Sequence, residues 1–225
     1  MPKREELLVN NSFYHIYNKT IDGKEIFKKE KYCQLFLQIL KYYRSSKSKI
    51  SFSEFNSLDE VKREQILKKI NIKKYYQIEI ISYCLMPTHF HLLIKQRLDN
   101  GIVKCIANTI NSFTRIFNLK EERKGPLFIP RFKAVLIRTE EQLKHLSRYI
   151  HLNPYSNGFV KNINELINFK WSSLKNYIYN LKDDLCNSKE ILILFDNDKL
   201  RYKKFIQDNA DYQKFLEKIK YLNEE

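Results

Sequence analysis

The sequence predicts an α+β fold of the ferredoxin-like, split βαβ type: an antiparallel sheet with helices on one face, followed by a helical C-terminal extension. Three observations predict it. Short stretches of alternating apolar and polar residues indicate strands, longer stretches with a period of 3.6 indicate helices, and the elements follow in the order β-α-β-β-α-β-α. We place residues 1–155 in the main domain and residues 156–225 in the extension.

Strands are expected at four places, where aromatic and β-branched residues are frequent and the sequence alternates or is continuously apolar. The predicted ranges are 12–19, 75–85, 89–96 and 132–138. The second and third of these are joined only by a short turn around Met86-Pro87-Thr88. We therefore expect them to be neighbours in the sheet.

The three longer predicted helices each have apolar residues along one face, and they span 28–43, 102–119 and 140–153. Thr139 is expected to cap the last of these helices, since Gln142 follows three residues later. Pro154 is expected to end it at about Asn153, because the residue before a proline avoids helical geometry.

Two regions lie outside this core pattern. The charged stretch 53–70 is expected to hold one short helix capped by Ser57, and we interpret 51–74 as a possible insertion. In the extension, amphipathic helices are expected around 190–195 and 199–222.

The composition suggests a polyanionic partner. Lysine and arginine total 41 against 26 acidic residues, which gives a formal net charge of +15, so nucleic acid is the expected partner. The alternative is a solvated basic surface that reflects a lysine-rich genome. No apolar run resembles a signal peptide or a membrane span, and the four scattered cysteines are expected to be buried free thiols. These features predict a cytoplasmic protein.

The segment His89-Phe90-His91 is the strongest candidate for chemistry. Residues two apart on a strand share a face, so His89 and His91 would project together while Phe90 enters the core. Two imidazoles side by side on a strand make half of a metal site. A lone pair of this kind is more often structural, so a second observation is needed.

The predicted helix that follows the last strand supplies that observation. Gln142, His145, Tyr149 and Asn153 fall on one of its faces. If this face lies against the two strand histidines, then two imidazoles, an amide oxygen and a phenol meet at one point. The alternatives are that Tyr149 is a core residue and that Asn153 stops the helix by bonding its own backbone.

Such a site would have a specific chemistry. A divalent ion held by His89, His91 and Asn153 would act as a Lewis acid and orient a scissile phosphate, and the mixed nitrogen and oxygen ligands suit Mg²⁺ or Mn²⁺ in use. A tyrosine phenol has an intrinsic pKa of about 10, so it needs a metal or nearby cations to become a good nucleophile. Attack by Tyr149 on phosphorus would give a covalent phosphotyrosine.

Taken together, these residues resemble the HUH single-strand nucleases, and most closely the single-tyrosine transposases of the IS200-like and REP-associated groups. The resemblance covers roughly residues 10–180 and weakens beyond them. The segments that carry it are Phe13-Tyr14-His15-Ile16-Tyr17-Asn18, Met86-Pro87-Thr88-His89-Phe90-His91, Phe128-Ile129-Pro130-Arg131-Phe132-Lys133, Tyr149-Ile150-His151-Leu152-Asn153-Pro154 and Trp171-Ser172-Ser173.

The resemblance implies a role for each matching position. His89 and His91 would bind the metal with Asn153 as the third ligand, and Tyr149 would join to the 5′ phosphate of cut DNA. The implied substrate is single-stranded DNA with hairpins, and the implied protein is a monomer or homodimer in the bacterial cytoplasm, associated with the nucleoid. Candidate DNA contacts are Lys19, Arg131 and Lys133, which are alternatively ordinary surface charges.

The favoured function is a metal-dependent endonuclease and strand transferase, and two other functions are alternatives to it. A domesticated relative would bind DNA or RNA hairpins through the same basic surface without cutting them. A histidine-triad hydrolase would need a third histidine where the chain has Leu93, so the sequence disfavours that class. His15, His145 and His151 are expected to be core or surface residues rather than ligands.

Overall fold

The computed structural model describes residues 8–179, 181 and 184–215. Its centre is a four-stranded antiparallel sheet in the order β2-β3-β1-β4. The strands are β1 (Phe13–Lys19), β2 (Ile78–Met86), β3 (His89–Gln96) and β4 (Lys133–Ile137). All four agree with the predicted positions, although β2 begins later than expected because Lys73–Tyr75 forms a 3-10 turn.

The register of the two central strands positions the strand histidines. In the antiparallel pairing of β1 with β3, Tyr17 lies opposite His91 and Lys19 lies opposite His89. Opposite residues in such a pair point to the same face. The odd-numbered residues of both strands therefore share one face at this end of the sheet, and the even-numbered residues, such as Phe90, enter the core on the other.

One face of the sheet is covered by the two helices of the split βαβ unit, α1 (Glu30–Tyr43) and α4 (Gly101–Lys120). They bury a core that includes Phe36, Phe90 and Phe113, all fully enclosed. The predicted α+β class is therefore confirmed. Burial of large aromatic side chains of this kind contributes roughly 2 kcal/mol or more each.

Helices were predicted on one face of the sheet, but the opposite face is also covered, by the last helix of the main domain and by the extension. These elements are α5 (Glu140–Ser156), α6 (Ile163–Ile167), α7 (Leu174–Ile178), α8 (Lys189–Leu192) and α9 (Lys199–Gln207). Their apolar side chains pack on Ile81, Met86 and Leu93 of the sheet. The extension thus shares a hydrophobic core with the strands that carry the histidines. A single helix over 199–222 was expected, but the described part breaks at 208–209, and residues 216–222 lie outside it.

The segment interpreted as an insertion contains two helices rather than the single one predicted, α2 (Phe52–Ser57) and α3 (Glu60–Ile70). Ser51 caps the first and Asp59 caps the second, so the prediction of Ser57 as a cap was wrong. Ser57 is instead the last residue of α2. Asp59 accepts from Lys62 N at 2.9 Å and begins α3 two residues later, while the Ser57 hydroxyl donates to the Glu54 carbonyl at 2.8 Å.

Helix α5 starts as predicted, with the Thr139 hydroxyl accepting from Gln142 N at 3.1 Å. It continues through Pro154 to Ser156, about three residues further than predicted. A proline inside a helix removes one backbone donor. Here polar side chains bond backbone carbonyls around it: Asn153 Nδ2 donates to the Tyr149 carbonyl at 2.8 Å and Ser156 Oγ donates to the Leu152 carbonyl at 3.2 Å.

A buried polar network fixes the rotation of α5 about its axis. His151 is fully enclosed, with Nδ1 at 2.7 Å from the Tyr202 hydroxyl and Nε2 at 2.8 Å from the Ser173 hydroxyl. Ser173 in turn accepts from Tyr83 N on β2. These contacts lie on the side of α5 away from Tyr149, so they hold that side chain toward the sheet.

Replacement of His151 by glutamine should destabilise the protein most at neutral pH. Burial lowers the pKa of His151 to about 3, whereas an unfolded histidine titrates near 6.5. The unfolded state therefore binds more protons below pH 6.5, and the wild type loses up to about 1.4 kcal/mol of stability per pH unit as pH falls toward 3. We expect the variant to lack this dependence. The difference in free energy of unfolding between the wild type and the variant should therefore become smaller as pH falls from 7.5 to 5.

Urea unfolding at both pH values measures this deficit. The matched control is His145→Gln, which alters an exposed histidine on the same helix and should change stability by less than about 0.5 kcal/mol. An equal deficit for His151→Gln at the two pH values would contradict the argument.

Candidate active site

A cavity of about 480 Å³ lies between the end of the sheet and helix α5. It combines imidazole, phenol, amide and ammonium groups in one place. The residues that line it are His15, Tyr17, Lys19, Thr88, His89, His91, Val135, Tyr149, Asn153 and Asn157. The candidate residues His89, His91, Tyr149 and Asn153, predicted from two separate sequence segments, therefore meet at one site.

The two strand histidines project into this cavity because they are two residues apart on β3. Their ring centroids are 5.0 Å apart and the rings are perpendicular. His89 Nδ1 lies 3.0 Å from the Thr88 hydroxyl, and only 6% of His91 is exposed. Coordination by His89 would accordingly go through Nε2, the ring nitrogen away from Thr88.

His15 is a third histidine in the cavity, and the sequence analysis assigned it to the core or surface. Its Nε2 lies 2.9 Å from His91 Nδ1, and burial lowers its pKa to about 4. A neutral His15 can accept a hydrogen bond at Nε2 from a protonated Nδ1 of His91. That arrangement leaves the proton of His91 on Nδ1, so a metal would be bound through Nε2.

Tyr149 reaches the cavity from α5. Its ring lies edge-on to His91 with 5.5 Å between centroids, and edge-on to His15 with 6.1 Å between centroids. The phenol is therefore held beside the histidines by a helix that is itself anchored through His151.

Asn153 follows Tyr149 by one turn and is almost completely buried, with 2% exposure. Its Nδ2 donates to the Tyr149 carbonyl, which is the backbone role considered as an alternative. Because Nδ2 makes this bond, the amide oxygen Oδ1 is the atom with which Asn153, as a lining residue of the cavity, would bind a ligand. The backbone bond does not stop the helix, which continues to Ser156, and it leaves the ligand role as a separate question for Oδ1.

The donor set fits a divalent cation. Two imidazoles and an amide oxygen face one cavity with openings to solvent, which is a mixed set of nitrogen and oxygen ligands. Within the described residues, no group of three or more His, Cys, Asp or Glu side chains could hold a metal. Asn153 is one of two amide side chains that line the cavity, with Asn157, and would supply an oxygen ligand there.

Tyr17 is a second phenol in the same cavity, and sequence reasoning did not select it. It lies on β1 with its ring centroid 4.8 Å from that of His15 and 5.8 Å from that of His91. The alternation of β1 places His15 and Tyr17 on one face. That signal could have been read from the sequence, but only with the pairing of β1 and β3 already known.

The three candidate DNA contacts lie in two places. Lys19 is exposed at the cavity, and Lys133 is exposed on β4 directly opposite Tyr17, at the cavity margin. Arg131 lines a separate groove of about 1040 Å³ between α4 and the loop that precedes β4. The structure thus brings one of the three cations, Lys19, to the lining of the cavity and places Lys133 next to a lining residue.

The chain is similar to a family of known proteins and to a solved structure. Residues 54–153 match the model of the family described as "Transposase IS200 like", and this segment contains the two strand histidines, Tyr149 and Asn153. A solved structure described as a REP-associated tyrosine transposase bound to a REP hairpin is similar with a TM-score of 0.56 and 16% identity, over 83% of this chain and 92% of that chain. No curated protein matches the chain. Within the described residues, no helix is long and apolar enough to cross a membrane.

Proposed function

We propose, on the premise that the chain resembles the IS200-like single-tyrosine transposases, that it cleaves and rejoins single-stranded DNA beside hairpins through a 5′-phosphotyrosine intermediate. The observation that carries the proposal is the meeting of His89, His91, Tyr149 and Asn153 in one cavity. Neither the strand nor the helix alone would support it. The similar solved structure, described as bound to a REP hairpin, supports hairpin DNA as the substrate class.

Tyr149 is the proposed nucleophile. Its phenolic oxygen attacks the scissile phosphorus, a bond forms between that oxygen and phosphorus, and the bond from phosphorus to the 3′ oxygen breaks. The phenol gives up its proton and the departing 3′ oxygen gains one, so the products are a 5′-phosphotyrosine and a free 3′ hydroxyl. Attack of a 3′ hydroxyl on the phosphotyrosine reverses these changes and rejoins the strand.

His89, His91 and Asn153 are the proposed ligands for Mg²⁺ or Mn²⁺. The ion, when bound, would supply Lewis-acid stabilisation of the charge on the scissile phosphate. His15 acts through His91: by accepting from Nδ1 at 2.9 Å, it orients the ring and keeps the proton off the coordinating nitrogen. Asn153 is oriented by its bond to the Tyr149 carbonyl.

Lys19 and Lys133 are proposed to bind phosphates next to the cleaved bond, since both are exposed at or beside the cavity. Arg131 would meet a different part of the DNA, along the groove beside α4. We also propose that residues 1–155 form the catalytic domain and 156–225 an extension that supports α5, and that the protein acts in the cytoplasm, associated with the nucleoid, as a monomer or homodimer.

Denaturing gel analysis tests the proposal. The protein is incubated with labelled single-stranded hairpin DNAs, taken from repeats that flank its gene, in the presence of Mg²⁺, Mn²⁺ or a chelator. A protein-linked DNA band that requires the metal is the expected result. Tight binding across several hairpins with no such band would instead favour the non-cleaving hairpin-binding protein.

A further inference from the structure

A second surface has the properties of a nucleic-acid contact, at the opposite end of the sheet from the catalytic cavity. It is a groove of about 540 Å³ between the end of α1 and helix α3. Its floor is aromatic and aliphatic, and three exposed lysines form its rim. We call it the lysine-rimmed groove; it is lined by Tyr42, Lys47, Lys49, Ile50, Ile66, Lys69, Ile72 and Tyr75.

The charge of this surface is not neutralised within the part of the chain that the structure describes. The three rim lysines have no carboxylate partner there, and neither do Lys73 and Lys74 just beyond them. The acidic residues of the neighbouring helix are directed elsewhere, since Asp59 pairs with Lys62 and Glu64 with Lys68. Three ammonium groups on the rim of one groove without a carboxylate partner, and two more just beyond it, attract a polyanion.

The floor of the groove narrows the choice of polyanion. Ile72 is 43% exposed, and Tyr75 lies under two ammonium groups, Lys47 Nζ at 4.4 Å and Lys74 Nζ at 5.0 Å from its ring centroid. A duplex keeps the faces of its bases stacked inside, so they could not cover the apolar floor. An unpaired strand presents both bases and phosphates, so its bases can cover the floor while its phosphates meet the lysines.

The distance between the groove and the catalytic cavity sets the length of strand that could occupy both. Tyr75 precedes β2 and His89 follows it, and the nine residues of β2 separate the two ends. At about 3.3 Å per residue, the groove lies roughly 30 Å from the catalytic cavity. A substrate that occupies both places must therefore extend by several nucleotides from the cleaved bond.

We propose that the lysine-rimmed groove binds single-stranded DNA that flanks the hairpin, at a distance from the bond that is cut. This inference rests on the proposed function for its choice of substrate. It assigns to the segment 51–74, through α3, a role in substrate binding that the catalytic cavity does not require.

The test is binding of labelled hairpins that carry single-stranded extensions from zero to about twenty nucleotides, measured by fluorescence anisotropy across a range of salt concentrations. The variant Lys47→Gln/Lys49→Gln/Lys69→Gln removes the rim charges. The control Lys161→Gln/Lys175→Gln/Lys204→Gln removes the same charge from exposed positions on the extension. Covalent adduct formation on a hairpin without an extension is measured for all three proteins.

For the wild type we expect affinity to increase with extension length. The rim variant should lose this increase, on the order of tenfold, and its slope of log affinity against log salt should fall by about 2, since each single-strand phosphate contact contributes about 0.7. The control variant should keep the increase of affinity with extension length and the salt slope of the wild type. The wild type, the rim variant and the control should form the covalent adduct equally.

Three results would overturn the proposal: affinity that is independent of extension length, an unchanged rim variant, or an equal loss in the control, which would show a general effect of net charge. These are distinguishable from failure of the proposed function. If no adduct forms but the extension effect is present and depends on the rim lysines, the groove is a DNA-binding surface and the cleavage mechanism is wrong.

Discussion

Tyr149→Phe is expected to abolish the covalent protein–DNA adduct while hairpin affinity stays within about threefold of the wild type. The substitution removes only the phenolic oxygen, which is the proposed nucleophile, and leaves the ring that packs edge-on to His91 and His15. Loss of a nucleophile typically costs a factor of about a thousand or more. Adduct yield on a denaturing gel and affinity by anisotropy measure the two effects separately.

Tyr17→Phe is the matched control. Tyr17 is the other phenol that lines the cavity, at 5.8 Å from His91 between ring centroids. We expect this variant to form the adduct at a rate within about tenfold of the wild type. Undiminished adduct in Tyr149→Phe together with its loss in Tyr17→Phe would move the nucleophile from α5 to β1 and refute the assignment.

The second large effect is expected for His91→Ala, and equally for His89→Ala. Each change removes one of two imidazoles that face the same cavity, so one imidazole and the Asn153 amide are the only proposed ligands that remain. Cleavage should fall by at least about a hundredfold, and calorimetric titration with Mn²⁺ should show weakened or undetectable binding. DNA affinity measured in chelator should be little changed, because the lysines remain.

His145→Ala serves as the control for both histidine variants, since His145 is exposed and lies outside the cavity. It should bind Mn²⁺ and cleave as the wild type does. If His91→Ala keeps a normal metal response, His91 is not a ligand, and the short contact with His15 would be a structural feature of the sheet alone.

The candidate active site was predictable from the sequence because its main parts follow local periodicity. A period of two placed His89 and His91 on one face of a strand, and helical spacing placed Tyr149 and Asn153 on one face of a helix. Both patterns survive in the structure. His145 shares the predicted helix face but is exposed and lies outside the cavity, which agrees with the expectation that it is a surface residue.

The parts that escaped prediction depend on packing between distant segments. His15 becomes a partner of His91 only through the register of β1 with β3, which no single strand encodes. Pro154 was expected to stop α5, but the helix continues to Ser156, with the Asn153 and Ser156 side chains bonded to the carbonyls of Tyr149 and Leu152. Arg131 precedes β4 in sequence, yet it lines a groove beside α4 rather than the cavity.

The predicted boundary between the main domain and the extension, at residue 155, does not separate two packing units. Residue 155 lies inside α5, and the elements after it pack on Ile81 and Leu93 of the sheet. His151 belongs to the same helix as Tyr149 but bonds Tyr202 and Ser173 of the extension. The position of the proposed nucleophile therefore depends on residues beyond the predicted catalytic domain.

The most direct test of the central claim is mass spectrometry of the protein–DNA adduct after digestion by nuclease and protease. The account predicts a peptide in which Tyr149 carries a nucleotide through its 5′ phosphate, formed only with a divalent metal. A nucleotide on Tyr17 or on any other residue, or no modified peptide under conditions where the hairpin is bound and metal is present, would contradict it.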